Sequence, residues 1–396
     1  MKRANTSLFA QLIQKLPRAA FQSIVSKYQA DAHAKGIATW DLLVAMLFAQ
    51  MAGASSLREI EIGLKDSIGK ILHCGARALS KSTLSYANEH RDYRVFRDFY
   101  FEALSVFDQY IRQSKGRKLS VKFSKPVYSL DSTLITLCLS LFNWAKYRRH
   151  KGGIKVHTIL NNDSLLPEVM VMTDGKISDI TMARSLQLPT NQCILIMDRG
   201  YSDYEFFVQL DEQATTFVTR LKEGAVTTPL KKGVIKEFDG KDEKWGDYCI
   251  QFVGQQVDEK VKQKNFRLIQ WYDAETDRWF DFVTNDWEHS AKDIAWLYRD
   301  RWEIEKFFRR LKQNLKIKSF VGTSQNAVLV QIWTAAIALL LLEVLRAASS
   351  YRWGFSILAW YIRLSFLTHR ELAEWLNKPP ILNRIDTSPP EQLRLF

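Results

Sequence analysis

The sequence predicts an α/β protein: a mixed sheet flanked by helices, with an all-helical head before it and a helical tail after it. Three observations carry this. Up to about residue 118, apolar side chains recur at helical spacing. From Pro126 to Lys222, short runs of β-branched and apolar residues alternate with capped helical stretches. From Glu223 to His289 the texture turns to antiparallel alternation, and helices then return.

In the head, TWDLLVAMLFAQMAG, SLREIEIGL and DYRVFRDFYFEALSVFDQYI are amphipathic helices. Between the last two, GARALSKSTLSYANEHR places Ser80 or Ser82 at the cap of a short helix carrying Thr83, Ser85, Tyr86, Asn88 and His90. A polar helix after a Gly-containing turn suits a helix-turn-helix reader of DNA, and suits an ordinary helical hairpin equally. PVYSLDSTLITLCLS then reads as a strand with Asp131 in its middle. NWAKYRRHKGG is a basic turn, and GIKVHTILN and LLPEVMVMTDG form a hairpin around Asn161, Asn162 and Asp163. SDITMARSLQL is a capped helix, NQCILIMDRGY a buried strand ending at Asp198, SDYEFFVQLDEQ a helix and ATTFVTRLK a strand. Three antiparallel strands, a helix, a strand, a helix and a strand is the ribonuclease-H-like order, in which the first and fourth strands are neighbours.

VTTPLKKGVIKEF, KWGDYCIQFVG and FRLIQWYDAETDRWFDFVTND form a β-rich insertion, the last a hairpin with AETDR at its tip. IAWLYRDRWEIEKFFRRLKQNLK reads as one helix. AVLVQIWTAAIALLLLEVLRAA reads as a buried core helix, because its uninterrupted apolar part is well short of the roughly 20 residues a membrane span needs. FSILAWYIRLSFL adds a helix, and KPPILNRIDTSPPEQLRLF an extended or disordered tail. The expected domains are residues 1–118 (helical, DNA-binding), 119–222 (first part of the ribonuclease-H-like core), 223–290 (β-rich insertion), 291–346 (second part of the core) and 347–396 (C-terminal helix and tail).

The chain has 396 residues, 46% hydrophobic and 25% charged, an ordinary globular composition with room for several domains. Its net charge of +13 favours a polyanionic partner, most simply nucleic acid. The four cysteines show no CxxC spacing and no companion His cluster, which argues against zinc and for reduced thiols in a reducing cytoplasm. The N-terminus carries no secretory signal pattern.

At about 100° per residue, Tyr298, Arg301, Glu305 and Lys312 share a stripe about 60° wide on their helix. Leu297, Ile304, Phe308, Leu311 and Leu315 form a second stripe that should face a core, and Glu303 points away from both. A solvated, salt-bridged face would look similar on this helix alone. Two aspartates tip the balance. Asp131 is an ionisable group amid apolar strand residues, and Asp198 sits where a buried strand stops. If their strands are neighbours, the two carboxylates repel unless a cation lies between them. Two Mg²⁺ ions about 3.5–4 Å apart, with Mn²⁺ as a substitute, would serve, and Glu305 would complete an oxygen-only ligand set.

The segments YSLDST, IMDRGYSD and YRDRWEIEKFFRRLK closely resemble the DDE transposases of bacterial insertion sequences, specifically the IS-four family. That family's signature is Tyr, two residues, Arg, three residues, Glu, six residues, Lys; Tyr298, Arg301, Glu305 and Lys312 match it without a gap. The resemblance runs from about residue 120 to 345. It implies Mg²⁺-dependent cut-and-paste transposition with a hairpin intermediate, by a homodimer on paired ends. Asp131, Asp198 and Glu305 would be the catalytic metal ligands, and Tyr298, Arg301 and Lys312 would contact DNA phosphates. Trp279 in the insertion is the candidate for stacking on a flipped base, with hairpin packing the plainer reading. Lys146, Arg148, Arg149 and Lys151 would hold DNA backbone. The implied partners are the terminal inverted repeats and target DNA, with no membrane, in a bacterial cytoplasm at the nucleoid. The alternatives are a nuclease that cuts without joining ends and a DNA-binding repressor; the intact acids speak against the repressor.

Overall fold

The computed structural model describes residues 4–379, apart from 33, 35, 116–118, 149–150, 240–243, 256, 275 and 315–319. Its N-terminal third is helical: α1 (Leu8–Ile13), α2 (Arg18–Lys27), α3 (Thr39–Ala52), α4 (Leu57–Asp66), α5 (Ile68–Leu72), α6 (Lys81–His90), α7 (Tyr93–Lys115) and α8 (Leu119–Lys122). Ser80 caps α6, its side chain accepting from the Thr83 amide. Gly53 ends α3 at φ 72°, a left-handed conformation that glycine adopts without steric penalty.

The sheet region follows as β1 (Val127–Leu137), β2 (Lys146–Arg148), β3 (Lys151–Asn161), β4 (Leu166–Asp174), α9 (Asp179–Ser185), β5 (Ile194–Met197), α10 (Tyr204–Glu212) and β6 (Thr216–Arg220). Then come β7 (Thr227–Asp239), β8 (Lys244–Phe252), α11 (Glu259–Lys262), β9 (Phe266–Asp273) and β10 (Arg278–Thr284). The chain closes with α12 (Ala291–Asp300), α13 (Trp302–Asn314), α14 (Gln325–Ala348), α15 (Phe355–Ser365) and α16 (Leu372–Asn377). The short α16, which hydropathy patterning does not single out, is capped by the Glu371 carboxylate. Most of the tail, from residue 380 on, lies outside the described residues.

The ten strands described form one sheet in the order β2-β3-β1-β5-β6-β10-β9-β8-β7, with β4 also paired to β3. β1 is antiparallel to β3 and parallel to β5, and β5 is parallel to β6. The expected neighbours, first and fourth, are therefore side by side. The insertion does not stand apart from this sheet. β10 pairs antiparallel with β6, so the insertion strands continue the same hydrogen-bonded surface.

Alternation along the strands sorts their side chains between two faces. Tyr128, Leu130, Leu195 and Met197 pack with Phe206 and Phe207 of α10. Val127, Ile194 and Ile196 pack on the other face with Ile294 and Leu297 of α12. A larger cluster joins the far end of β1, through Ile135 and Leu137, to α13, α14, α15 and the N-terminal helices. α14 is long and apolar enough to cross a membrane, but its residues 327–345 are all buried and it packs on α7 and α3. The helical head and the last helices thus share one core.

The segment expected to be one helix is two, with the break at Arg301. There the amide of Arg301 bonds the Tyr298 carbonyl and that of Ile304 bonds the Arg301 carbonyl, three-residue spacings that tighten the turn. The reason is packing: Leu297 docks on the sheet, whereas Ile304, Phe308 and Leu311 dock in the larger cluster. All four are buried as the apolar stripe requires; Leu315 lies outside the described residues.

Candidate active site

The last paired positions of β1 and β5 are Leu130 and Met197, so Asp131 and Asp198 come next, one on each strand. By alternation both face the side of the sheet that α12 covers, together with Val127, Ile194 and Ile196. Where this pairing ends, α13 leans over β1, and an open cavity of about 410 Å³ lies between them. Asp131, Asp198, Arg301, Glu305 and Lys312 line it, along with Thr133 and Arg309. Three carboxylates spread over more than 170 residues of chain thus reach one space.

The local chemistry is that of crowded acids. Burial pushes the Asp131 carboxyl up to about 7, and the nearby charges of Asp198 and Glu305 add to the rise; the Ser132 amide, 2.7 Å away, and the Arg301 guanidinium oppose it. Asp198 accepts the Gly200 amide at 2.7 Å. A Cβ at Gly200 would stand 2.9 Å from that same oxygen, so close approach explains the glycine. Arg301 bridges Glu305 at 2.8 Å and is itself 11% exposed. Its buried Nε has no hydrogen-bond partner among the described residues, leaving a donor available beside the cavity. Lys312 donates to the Leu134 carbonyl at 2.9 Å. Among the described residues no three His, Cys, Asp or Glu side chains stand close enough to clamp one ion. The donor set still suits a hard divalent cation: it is all oxygen and it carries repulsion that a cation would relieve.

The other candidates separate. Tyr298 lies one turn back, its ring 4.9 Å from Phe282 and 5.7 Å from the Arg301 guanidinium, outside the cavity lining. Glu303 faces elsewhere, bonded to Lys306 at 2.8 Å. Trp279 is 53% exposed on β10 with its ring 5.4 Å from Tyr272; Trp287 is also exposed. Lys146 opens β2 and is exposed, and Arg148 pairs with Lys151 across the β2–β3 hairpin. Arg149 lies outside the described residues. Arg199, next to Asp198, pairs with Glu223 at 2.5 Å. In the head, Ser85, Tyr86 and His90 are exposed on α6, with the Tyr86 and His90 rings stacked at 4.1 Å, but Asn88 is buried. Arg309 is a cavity residue that the stripe argument missed; its spacing of four from Glu305 is the signal that could have found it.

His157 belongs to the opposite face. It pairs with Ser132, not Asp131, and its ring bonds Thr173 at 2.9 Å and faces Asp179 at 3.7 Å. Burial lowers its pKa to about 4 despite Asp179. The unfolded chain therefore binds a proton between about pH 6.5 and 4 that the fold refuses, and stability falls as pH drops through that window, by on the order of 3 kcal/mol. His157→Gln should remove this part of the acid sensitivity. Thermal melts at pH 7, 5.5 and 4.5 check it: the variant should gain on the wild type as pH falls, and a constant gap would contradict the assignment.

Comparison with known proteins bears on the whole arrangement. Residues 122–341 match the family model described as "Transposase DDE domain", and residues 4–77 match a domain of unknown function, DUF4372. A putative transposase, y4zB, from Sinorhizobium fredii is 31% identical over 66% of this chain and 70% of its own length. The probable transposase for insertion sequence element IS5377 from Geobacillus stearothermophilus is 32% identical over 58% of this chain and 59% of its own. A solved piggyBac transposase synaptic complex with hairpin DNA aligns over 97% of this chain and 86% of that one at 9% identity, with a TM-score of 0.42 too slight to carry an argument. The match over more than half its length, reinforced by these relatives, shows that the chain belongs to the DDE transposases of insertion sequences.

Proposed function

We propose that this chain cuts its own element out of DNA and inserts it elsewhere, with Asp131, Asp198 and Glu305 as the catalytic carboxylates. The observation that carries the proposal is that these three acids, with Arg301 and Lys312, line one cavity where the parallel pairing of β1 and β5 ends. The strand order β4-β3-β1-β5-β6 supports a ribonuclease-H-like core. The spacing of Tyr298, Arg301, Glu305 and Lys312 supports the finer assignment to the IS-four family.

In the first step a water oxygen bonds phosphorus, and the 3′-oxygen leaves and takes a proton. The freed 3′-hydroxyl then attacks phosphorus in the opposite strand, expelling the 3′-oxygen of the flanking DNA, which takes the proton, and closes a hairpin; a second water attacks that phosphorus and releases the 3′-hydroxyl again, which displaces a 3′-oxygen in target DNA. Two Mg²⁺ ions held by Asp131, Asp198 and Glu305, when bound, would supply Lewis-acid charge to the attacking and leaving oxygens. Arg301 and Lys312 bring positive charge to the phosphate, and the spare Nε of Arg301 can donate to one of its oxygens. Trp279 is exposed enough to stack on an extruded base. Lys146 and its neighbours on the β2–β3 hairpin would follow the DNA backbone, and the exposed face of α6 would read a groove. A homodimer would bring the two inverted repeats together.

The test is cleavage of a labelled duplex made from the DNA flanking the reading frame. Cutting should require Mg²⁺ or Mn²⁺, and Asp131→Ala should reduce it by about 10³-fold or more. Cutting by Asp131→Ala at the wild-type rate would overturn the proposal. Cleavage without joining to a second duplex would reduce it to a nuclease.

A further inference from the structure

The break at Arg301 lies between two parts of the proposed site, yet a tightened turn is by itself a poor support for either. Its outer side is open: Trp302 is 52% exposed and Trp296 39%, and a second cavity of about 430 Å³ lies between them. Its inner side is tied. Asp300, the last residue of α12, accepts a hydrogen bond from the Asn162 side-chain amide at 2.6 Å. The Asn162 side-chain oxygen in turn accepts from the Ser129 hydroxyl at 2.9 Å. Ser129 and Asn162 are both fully buried.

Each link has a chemical reason. Ser129 lies two residues before Asp131 on β1, so the two side chains share a face of the sheet. Asn162 follows β3 at the turn into β4, its own amide bonded to the Val127 carbonyl. An asparagine can accept from Ser129 and donate to Asp300 at once; an aspartate there could accept from the serine but would oppose the second carboxylate. The bond to Asp300 involves a charge and is the strong one of the pair.

We propose that Asn162 and Asp300 are positioning residues for the proposed reaction: the chain Ser129–Asn162–Asp300 sets the distance between the strand that carries Asp131 and the turn from which Arg301 and Glu305 reach the cavity. This rests on the functional reading above. It gives the buried polar line a role that core packing does not need, since apolar side chains could fill the same space.

The experiment uses the full chain and four variants: Asn162→Ala, Asp300→Ala, the two together, and Asp300→Asn, whose amide oxygen can still accept from Asn162. Three readouts are single-turnover cleavage of the flanking-sequence duplex with Mn²⁺, Mn²⁺ affinity without DNA by electron paramagnetic resonance, and thermal melting. Each alanine variant should cut about 10- to 100-fold more slowly, with duplex affinity unchanged. The double variant should be no slower than the worse single, because both break one line. Asp300→Asn should recover most of the rate, and Mn²⁺ affinity should fall and recover with it. A purely structural role would lower the melting temperature and leave the rate per folded molecule and the Mn²⁺ affinity intact, which would overturn the proposal, as would effects that multiply in the double variant. Asp131→Ala separates the two levels. If it is inactive while the alanine variants cut normally, the positioning role alone fails; if it cuts normally, the functional reading fails and the positioning role goes with it.

Discussion

Glu305→Gln should abolish strand cleavage, by about 10³-fold or more, while Glu303→Gln two residues away should cut at close to the wild-type rate. The two glutamates are near in sequence and opposite in setting. Glu305 lines the cavity of Asp131 and Asp198 and is bridged by Arg301 at 2.8 Å. Glu303 is bonded to Lys306 and lines the separate space between Trp296 and Trp302. The glutamine keeps the size of the side chain and its hydrogen bond to Arg301, so the fold should survive and the missing quantity is charge. The measurement is single-turnover cleavage of the flanking-sequence duplex with Mg²⁺, with melting curves beside it. The reverse outcome, an inactive Glu303 variant and an active Glu305 variant, would mean that α13 presents its other face to DNA.

The largest stability effect should come from Glu343→Gln. Glu343 is fully buried within α14, where Lys115 approaches it at 3.2 Å, Arg310 at 3.1 Å and Arg346 at 2.8 Å. One carboxylate thus holds cations from α7, α13 and α14. Without it they repel in a medium that solvates them poorly, and the expected loss is about 3–5 kcal/mol at pH 7. Lys115 gives the test a second dimension. Burial lowers its pKa to about 8 even with Glu343 present. The folded chain therefore sheds this proton before the unfolded chain does, and stability rises with pH from about 8 towards the ordinary lysine value of 10.5. Without the carboxylate the Lys115 pKa should fall further, so part of the loss should return between pH 7 and 9. Urea melts at both values check this; a variant as stable as the wild type at pH 7 would show that the three cations are solvated after all.

Much of this site was legible in the residues. A strand interrupted by Asp131 and a buried run stopped at Asp198 have few explanations, and both observations are local. Their adjacency followed from the order of strands, because a parallel partner for β1 had to come after a crossover helix. The break at Arg301 was not legible. Neither glycine nor proline marks it, and the helical period runs through it unchanged; it arises because Leu297 and Ile304 are drawn to different cores. The pairing of β10 with β6 was hidden for a similar reason: alternation shows that a strand is half-buried but not which edge it will join. The burial of Asn88 depended on α14, more than 200 residues later, packing against α6. Glu343 was visible in the sequence as a charge inside an apolar run, but its three partners come from segments that only the tertiary fold assembles.

The placement of α14 has a consequence for how this protein is made. A ribosome releases α3 and α7 long before it releases residues 325–348, which cover them. Until then the faces of α3 and α7 that α14 covers are open, so a prematurely terminated product should be taken up by chaperones or proteases rather than persist as a free helical head.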